Sequence, residues 1–174
     1  MFDLLQNFTD VHWTVSVETI EEEYEYIRYG GKWQDFLDNL NTIKKNRNHK
    51  ISFNMLYFVL NHRSIFDTIN YFQKSGFHNN SFVAGPLYTP TELNILNYGN
   101  GILDQLSKIL KDRINDAPGF LLQNSYENLL NYFEQPFDKN VKATYNMLNA
   151  LDKRRSLNSK KIFTTVYEDL NNEN

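Results

Sequence analysis

Three apolar stretches, Val11 to Val17, Ile51 to about Leu60 and Phe82-Val83-Ala84, are separated by helical patterns of about three turns. Strands spaced this way need long crossovers, which are right-handed and place neighbouring strands parallel. That spacing limits the first part of the chain to an α/β layer built on a parallel sheet.

The intervening helices carry their own signals. Thr19-Ile20-Glu21-Glu22 reads as a capping box, and Gly30-Gly31 reads as the stop of the helix that follows. Trp33, Phe36, Leu37, Leu40 and Ile43 recur at helical spacing, with Lys44, Lys45 and Arg47 at the end. Ser64 and Asp67 read as a second capping pair, opening a helix with Ile65, Ile69 and Phe72 on one face and Gly76 at its exit. A short amphipathic segment (Phe2, Leu4, Leu5, Phe8) precedes the first strand, and Gly85-Pro86 ends the third.

Beyond Pro90 the pattern turns helical. Ile102, Leu103, Leu106, Ile109, Leu110 and Ile114 mark one helix, which Pro118-Gly119 breaks. Leu121 to Phe133 forms another, Val141, Tyr145, Leu148 and Leu151 mark a third, and the Asn-rich tail after Leu170 is expected to fray. The expected fold is therefore α/β: half of a partial (β/α) barrel with three parallel strands over residues 1–90, and a helical C-terminal region over 91–174 packed on it as one folded unit. Three strands cannot close a barrel, and a bare parallel edge invites aggregation. Such a chain must be covered by its own helices, oligomeric or incomplete.

The chemistry concentrates at the end of the first strand. In Thr14-Val15-Ser16-Val17-Glu18 the residues alternate, so Thr14, Ser16 and Glu18 share one face and Val15 and Val17 the other. Ser52 and Asn54 continue that alternation on the second strand. Parallel sheets bind ligands at their carboxyl edge, so this polar face lines a wet or ligand-filled interior, or else faces solvent because the sheet is open. Arg28 serves either as a ligand-gripping guanidinium or as a helix-end cation paired with Glu25 or Glu21. Asn61-His62 reads as a strand-to-helix turn in preference to a site.

Composition removes several classes. A net charge of -3 gives no electrostatic footprint for nucleic acid, and the short basic runs Lys44-Lys45-Asn46-Arg47 and Lys153-Arg154-Arg155 read as solvated helix ends. The absence of cysteine removes disulfides, thiol nucleophiles, Cys-based zinc sites and the ordinary ligands of an iron–sulfur cluster. His12, His49, His62 and His78 show no metal-ligand spacing. No signal peptide or membrane-spanning run is legible, so the expected compartment is the cytoplasm and no membrane partner is expected.

Against this background, Thr14-Val15-Ser16-Val17-Glu18, then Glu25-Tyr26-Ile27-Arg28-Tyr29-Gly30 and Trp33 through Asn39-Leu40, resembles the radical S-adenosylmethionine (SAM) superfamily, in particular phage-type and peptide-modifying members with a twitch-like extension. The likeness continues through Asn54 to Asn61 and Pro86, and ends in Leu151-Asp152-Lys153-Arg154-Arg155, similar to a terminal Leu-Asp-x-x-Arg motif. It covers the second half of the family's domain, and Met1 falls at the helix before the fourth strand. The CxxxCxxC loop that holds the family's 4Fe–4S cluster has no counterpart here. The resemblance implies that Ser16, Glu18 and Arg28 bind SAM, with Asn54 and Asn61 as further cofactor-binding candidates, and it names no catalytic or metal-binding residue. It implies an inactive half that supplies SAM- and substrate-facing walls, with a partner half carrying the cluster or self-association through open edges, and a peptide or small-molecule substrate. A cluster-free binding or scaffold module with no redox chemistry is the alternative. A hydrolase-like reading lacks any nucleophile–base pair.

Overall fold

The computed structural model describes residues 5, 8–45, 49–116 and 119–172. The expected amino-terminal segment at Phe2 and Leu4, the cation Arg47 and the break at Pro118 lie outside the described residues. Strands β1 (Val11–Ser16), β2 (His49–Tyr57) and β3 (Phe82–Pro86) form one sheet, in the order β1-β2-β3 and parallel throughout. Helices α1 (Glu21–Ile27) and α2 (Trp33–Lys44) join the first pair, and α3 (Ser64–Lys74) joins the second. Five further helices follow among the described residues: α4 (Asn100–Asp116), α5 (Phe120–Phe133), α6 (Val141–Arg155), α7 (Ser159–Ile162) and α8 (Thr164–Asn171). The sheet stays open, so the α/β layer is confirmed while these strands close no barrel.

The two faces of the sheet differ sharply. On one, Phe53, Met55, Tyr57, Phe82 and Ala84 are buried. Phe53 stacks on Phe82 at 5.2 Å and on Phe72 of α3 at 4.5 Å between ring centroids. Trp33 and Phe36 of α2 reach Phe72 from the other side, which extends one aromatic seam through both crossover helices. On the opposite face His12, Thr14, Ser16, Lys50 and Asn54 are exposed, and Leu56 and Val83 retain 37% and 41% of their surface. This one-sided cover accounts for the alternating pattern of β1, whereas parallel strands buried on both faces read as continuous apolar runs.

The C-terminal helices complete the covered side. The Ala84 amide on the outer edge of β3 donates to Ser125 Oγ on α5 at 3.0 Å, and Tyr57 stacks on Phe133 of the same helix. Asp152 of α6 accepts from the Tyr26 hydroxyl of α1 and from the amide and hydroxyl of Ser159, and Arg155 donates to the Tyr26 carbonyl. The Leu-Asp-x-x-Arg run thus fastens the C-terminal helices to the first crossover.

Several local expectations are corrected. The capping box does not form: Ile20 occupies the position before α1 without a side-chain bond, and the buried Thr19 hydroxyl has no hydrogen-bond partner among the described residues. Glu21 adopts φ 54°, a left-handed conformation that turns the chain where the cap was expected. Ser64 does not cap α3 either, because its hydroxyl donates to Glu23 at 2.7 Å. β2 ends at Tyr57, and Val59–Asn61 wind into a short 3-10 turn. Helices α7 and α8 occupy a stretch left unassigned by periodicity, and α8 runs to Asn171.

Candidate functional site

The carboxyl ends of β1 and β2 are stitched together by three polar residues. The chain leaves β1 after Ser16, and the Val17 amide still donates to the Asn54 carbonyl at 3.3 Å. Glu18 then lies past the strand and is buried, so it does not share the exposed face of Thr14 and Ser16. Arg28 closes α1, and its guanidinium meets Glu18 edge-on: Nε donates to Oε2 at 2.9 Å and Nη2 to Oε1 at 2.6 Å. Gly30, with φ 91°, makes the reversal after α1 that other side chains rarely adopt. Two parallel charge-assisted bonds are the strong form of this pair, and they give the buried carboxylate its partner. Glu25 and Glu21 are therefore not its partners; Glu25 instead accepts from Lys32 and from the Trp33 amide.

Asn61 is fully buried in the turn after β2. Its Nδ2 donates to the Leu56 carbonyl at 2.7 Å and the Glu18 carbonyl at 3.2 Å, and its Oδ1 accepts from the Phe58 amide at 2.9 Å. One side chain thus satisfies three backbone groups that the end of the strand would leave unpaired. Ser16 and Asn54 are register partners and sit side by side on the open face. The structure therefore divides the five candidates. Glu18, Arg28 and Asn61 form the stitched strand ends, while Ser16 and Asn54 lie on the exposed sheet.

A second polar centre follows β2. His62 Nε2 lies 2.6 Å from Asp169 Oδ2 of α8, and Arg63 Nε donates to the same oxygen at 2.8 Å. A carboxylate only accepts, so His62 carries its proton on Nε2. The Tyr98 hydroxyl lies 3.2 Å from His62 Nδ1 and 3.1 Å from the Val59 carbonyl, and Tyr57 donates to the His62 carbonyl at 2.6 Å. Burial pushes the imidazole pKa below its ordinary value, against the opposing pull of Asp169. Burial also pushes the Asp169 carboxyl up, but the bonds from His62 and Arg63 outweigh it and the net shift is downward. A cavity of about 270 Å³ opens beside this centre, bordered by Glu23, Arg63, Ser64, Asp67 and Thr165. Burial raises the Glu23 carboxyl pKa, and nearby Asp67 adds to the rise.

Nothing local in the sequence points to this centre, because His62 and Asp169 stand 107 residues apart. One signal was available: Asp169 falls on the same helical stripe as Val166 and beside Leu170, where a solvated acid is out of place. Among the described residues no group of three or more histidine, aspartate or glutamate side chains could hold a metal ion, and no helix is long and apolar enough to cross a membrane. Comparisons with protein-family models, with curated proteins and with solved structures found no match.

Proposed function

We propose that this chain is one half of a shared (β/α) site, supplying a ligand-facing wall and carrying no redox chemistry of its own. The observation that carries the reading is the uncovered face of the parallel sheet. Parallel sheets are ordinarily covered on both sides, and here the bare side bears Thr14, Ser16, Asn54, Leu56 and Val83 beside the stitched strand ends. Through its resemblance the chain takes a specific form, the carboxyl-terminal half of a radical SAM enzyme. In that form SAM is held from this side by Ser16, Asn54 and the unused donors of Arg28, and a partner half supplies the 4Fe–4S cluster. This chain has no cysteine, so the donor set of such a cluster must come from elsewhere.

Glu18 and Arg28 bind each other, which favours a second reading: a cluster-free docking module in which that pair is structural. Calorimetric titration with SAM separates the two. The first reading expects weak, saturable binding that disappears in Arg28→Ala and weakens in Ser16→Ala. Absence of heat at millimolar SAM in a folded chain removes it and leaves the docking module.

A further inference from the structure

Helices α1 and α6 end side by side, and their ends enclose a cleft of about 550 Å³ lined by Ile27, Arg28, Tyr29, Leu151, Arg154 and Arg155. Three guanidinium groups in one cleft are conspicuous on a chain whose net charge is -3. Their positions are fixed to different degrees. Arg28 uses two of its five N–H donors on Glu18, and the rest remain for another acceptor. Arg155 gives Nη1 to the Tyr26 carbonyl and lies over the rings of Tyr26 and Tyr29, at 5.6 and 5.1 Å from their centroids. Arg154 is exposed on the last turn of α6 and has no hydrogen bond or ion pair among the described residues.

Glu18 is the acid in contact with this group, and it neutralises one charge of three. Asp152 is engaged by Tyr26 and Ser159. Arg154 and Arg155 border the cleft without a salt bridge to any acid among the described residues. Helix-end arginines are ordinarily accounted for by the carbonyls of their own helix, but here each fixed arginine binds a group outside its own helix and keeps further donors, and all three border one cleft.

We propose that this cleft binds a phosphate group carried by a small molecule. Guanidinium groups match the oxygens of phosphate in parallel bonds, and three arginines bordering one cleft suit an anion of higher charge than a carboxylate. Tyr29, 59% exposed at the rim and already stacked by Arg155, offers a face for an aromatic group attached to that phosphate. The cleft meets the end of β1 through the Glu18–Arg28 pair, at the carboxyl edge where parallel sheets place ligands. SAM carries no phosphate, and although Arg28 serves both readings, Arg154 serves only this one, so the test is placed there.

The test is calorimetric titration of the full chain with inorganic phosphate, adenosine monophosphate and a single-stranded oligonucleotide, at ionic strength held constant with sodium chloride. We expect saturable phosphate binding that weakens about tenfold in Arg154→Ala, is partly kept in Arg154→Lys, and is unchanged in Lys153→Ala. Tighter binding of adenosine monophosphate would assign a nucleotide as the source, and equal binding the phosphate group alone. Arg154 is exposed, so these variants keep the fold, as circular dichroism will check. The proposal is overturned if phosphate fails to saturate, or if Arg154→Ala binds it as well as the parent chain. Oligonucleotide binding that falls equally in Lys153→Ala and Arg154→Ala also overturns it, because that pattern reports diffuse charge.

Discussion

The two sides of the sheet treat the same backbone in opposite ways. On the covered side Phe53 is enclosed by Phe72, Phe77 and Phe82, and the polar groups at its margin are matched by Asn61, Ser125 and Asp169. On the bare side Leu56, three residues further along β2, keeps 37% of its surface and has Asn54 and Gly85 as neighbours. Stability is thus concentrated on one side, and the other stays exposed. Rigidity there comes from behind, since β2, which carries Asn54, is held by the aromatic seam, and β1, which carries Ser16, is paired along β2.

Mutations should register this asymmetry in proportion. The largest effect is expected from Phe53→Ala, which removes a ring from the seam and should cost about 3–5 kcal/mol in urea unfolding followed by tryptophan fluorescence. Asp169→Ala should come next, at about 3 kcal/mol, because it strips the carboxylate from buried His62 and from Arg63. Asn61→Ala leaves the Phe58 amide without its acceptor and should cost about 1–3 kcal/mol.

The same centre sets an acid sensitivity. Both His62 and Asp169 have folded pKa values below their ordinary ones, so the unfolded chain binds more protons in the windows between. Their contribution is therefore present at neutral pH and declines as pH falls, first below the ordinary histidine value of about 6.5 and then through the carboxylate range. Urea midpoints measured from pH 7 to pH 4 should fall, and His62→Gln should flatten the upper part of that slope. The smallest effect is expected on the bare side: Ser16→Ala and Asn54→Ala should each change stability by no more than about 0.5 kcal/mol. A loss of 2 kcal/mol or more at Ser16 would show that the face is already in use and break the comparison.

The elements were legible where period alone decides them. Alternation in β1 and helical spacing in α2, α3, α4 and α6 put each element within a few residues of its observed place. The carboxyl edge was legible only as a region. Thr19 and Glu22 match a capping box, yet the turn is made by the left-handed Glu21 and the buried chain around it, which local pattern does not encode. The partner of Arg28 was missed for a related reason. Helical spacing offered Glu25 and Glu21, but Glu18 becomes a neighbour only because the chain doubles back from β1 into α1. Bonds that span the fold, such as His62 to Asp169, are set by packing of distant helices; periodicity marks Asp169 as an acid on a buried stripe but does not name its partner.

The hydroxyl of Ser125 has a directional consequence. By occupying the outward amide of Ala84 it plugs one flank of the ribbon, whereas among the described residues the opposite flank, β1, pairs only with β2. Among the described residues the outer side of Val11–Ser16 is therefore the sheet's open pairing edge, while the β3 side is the one a helix already holds.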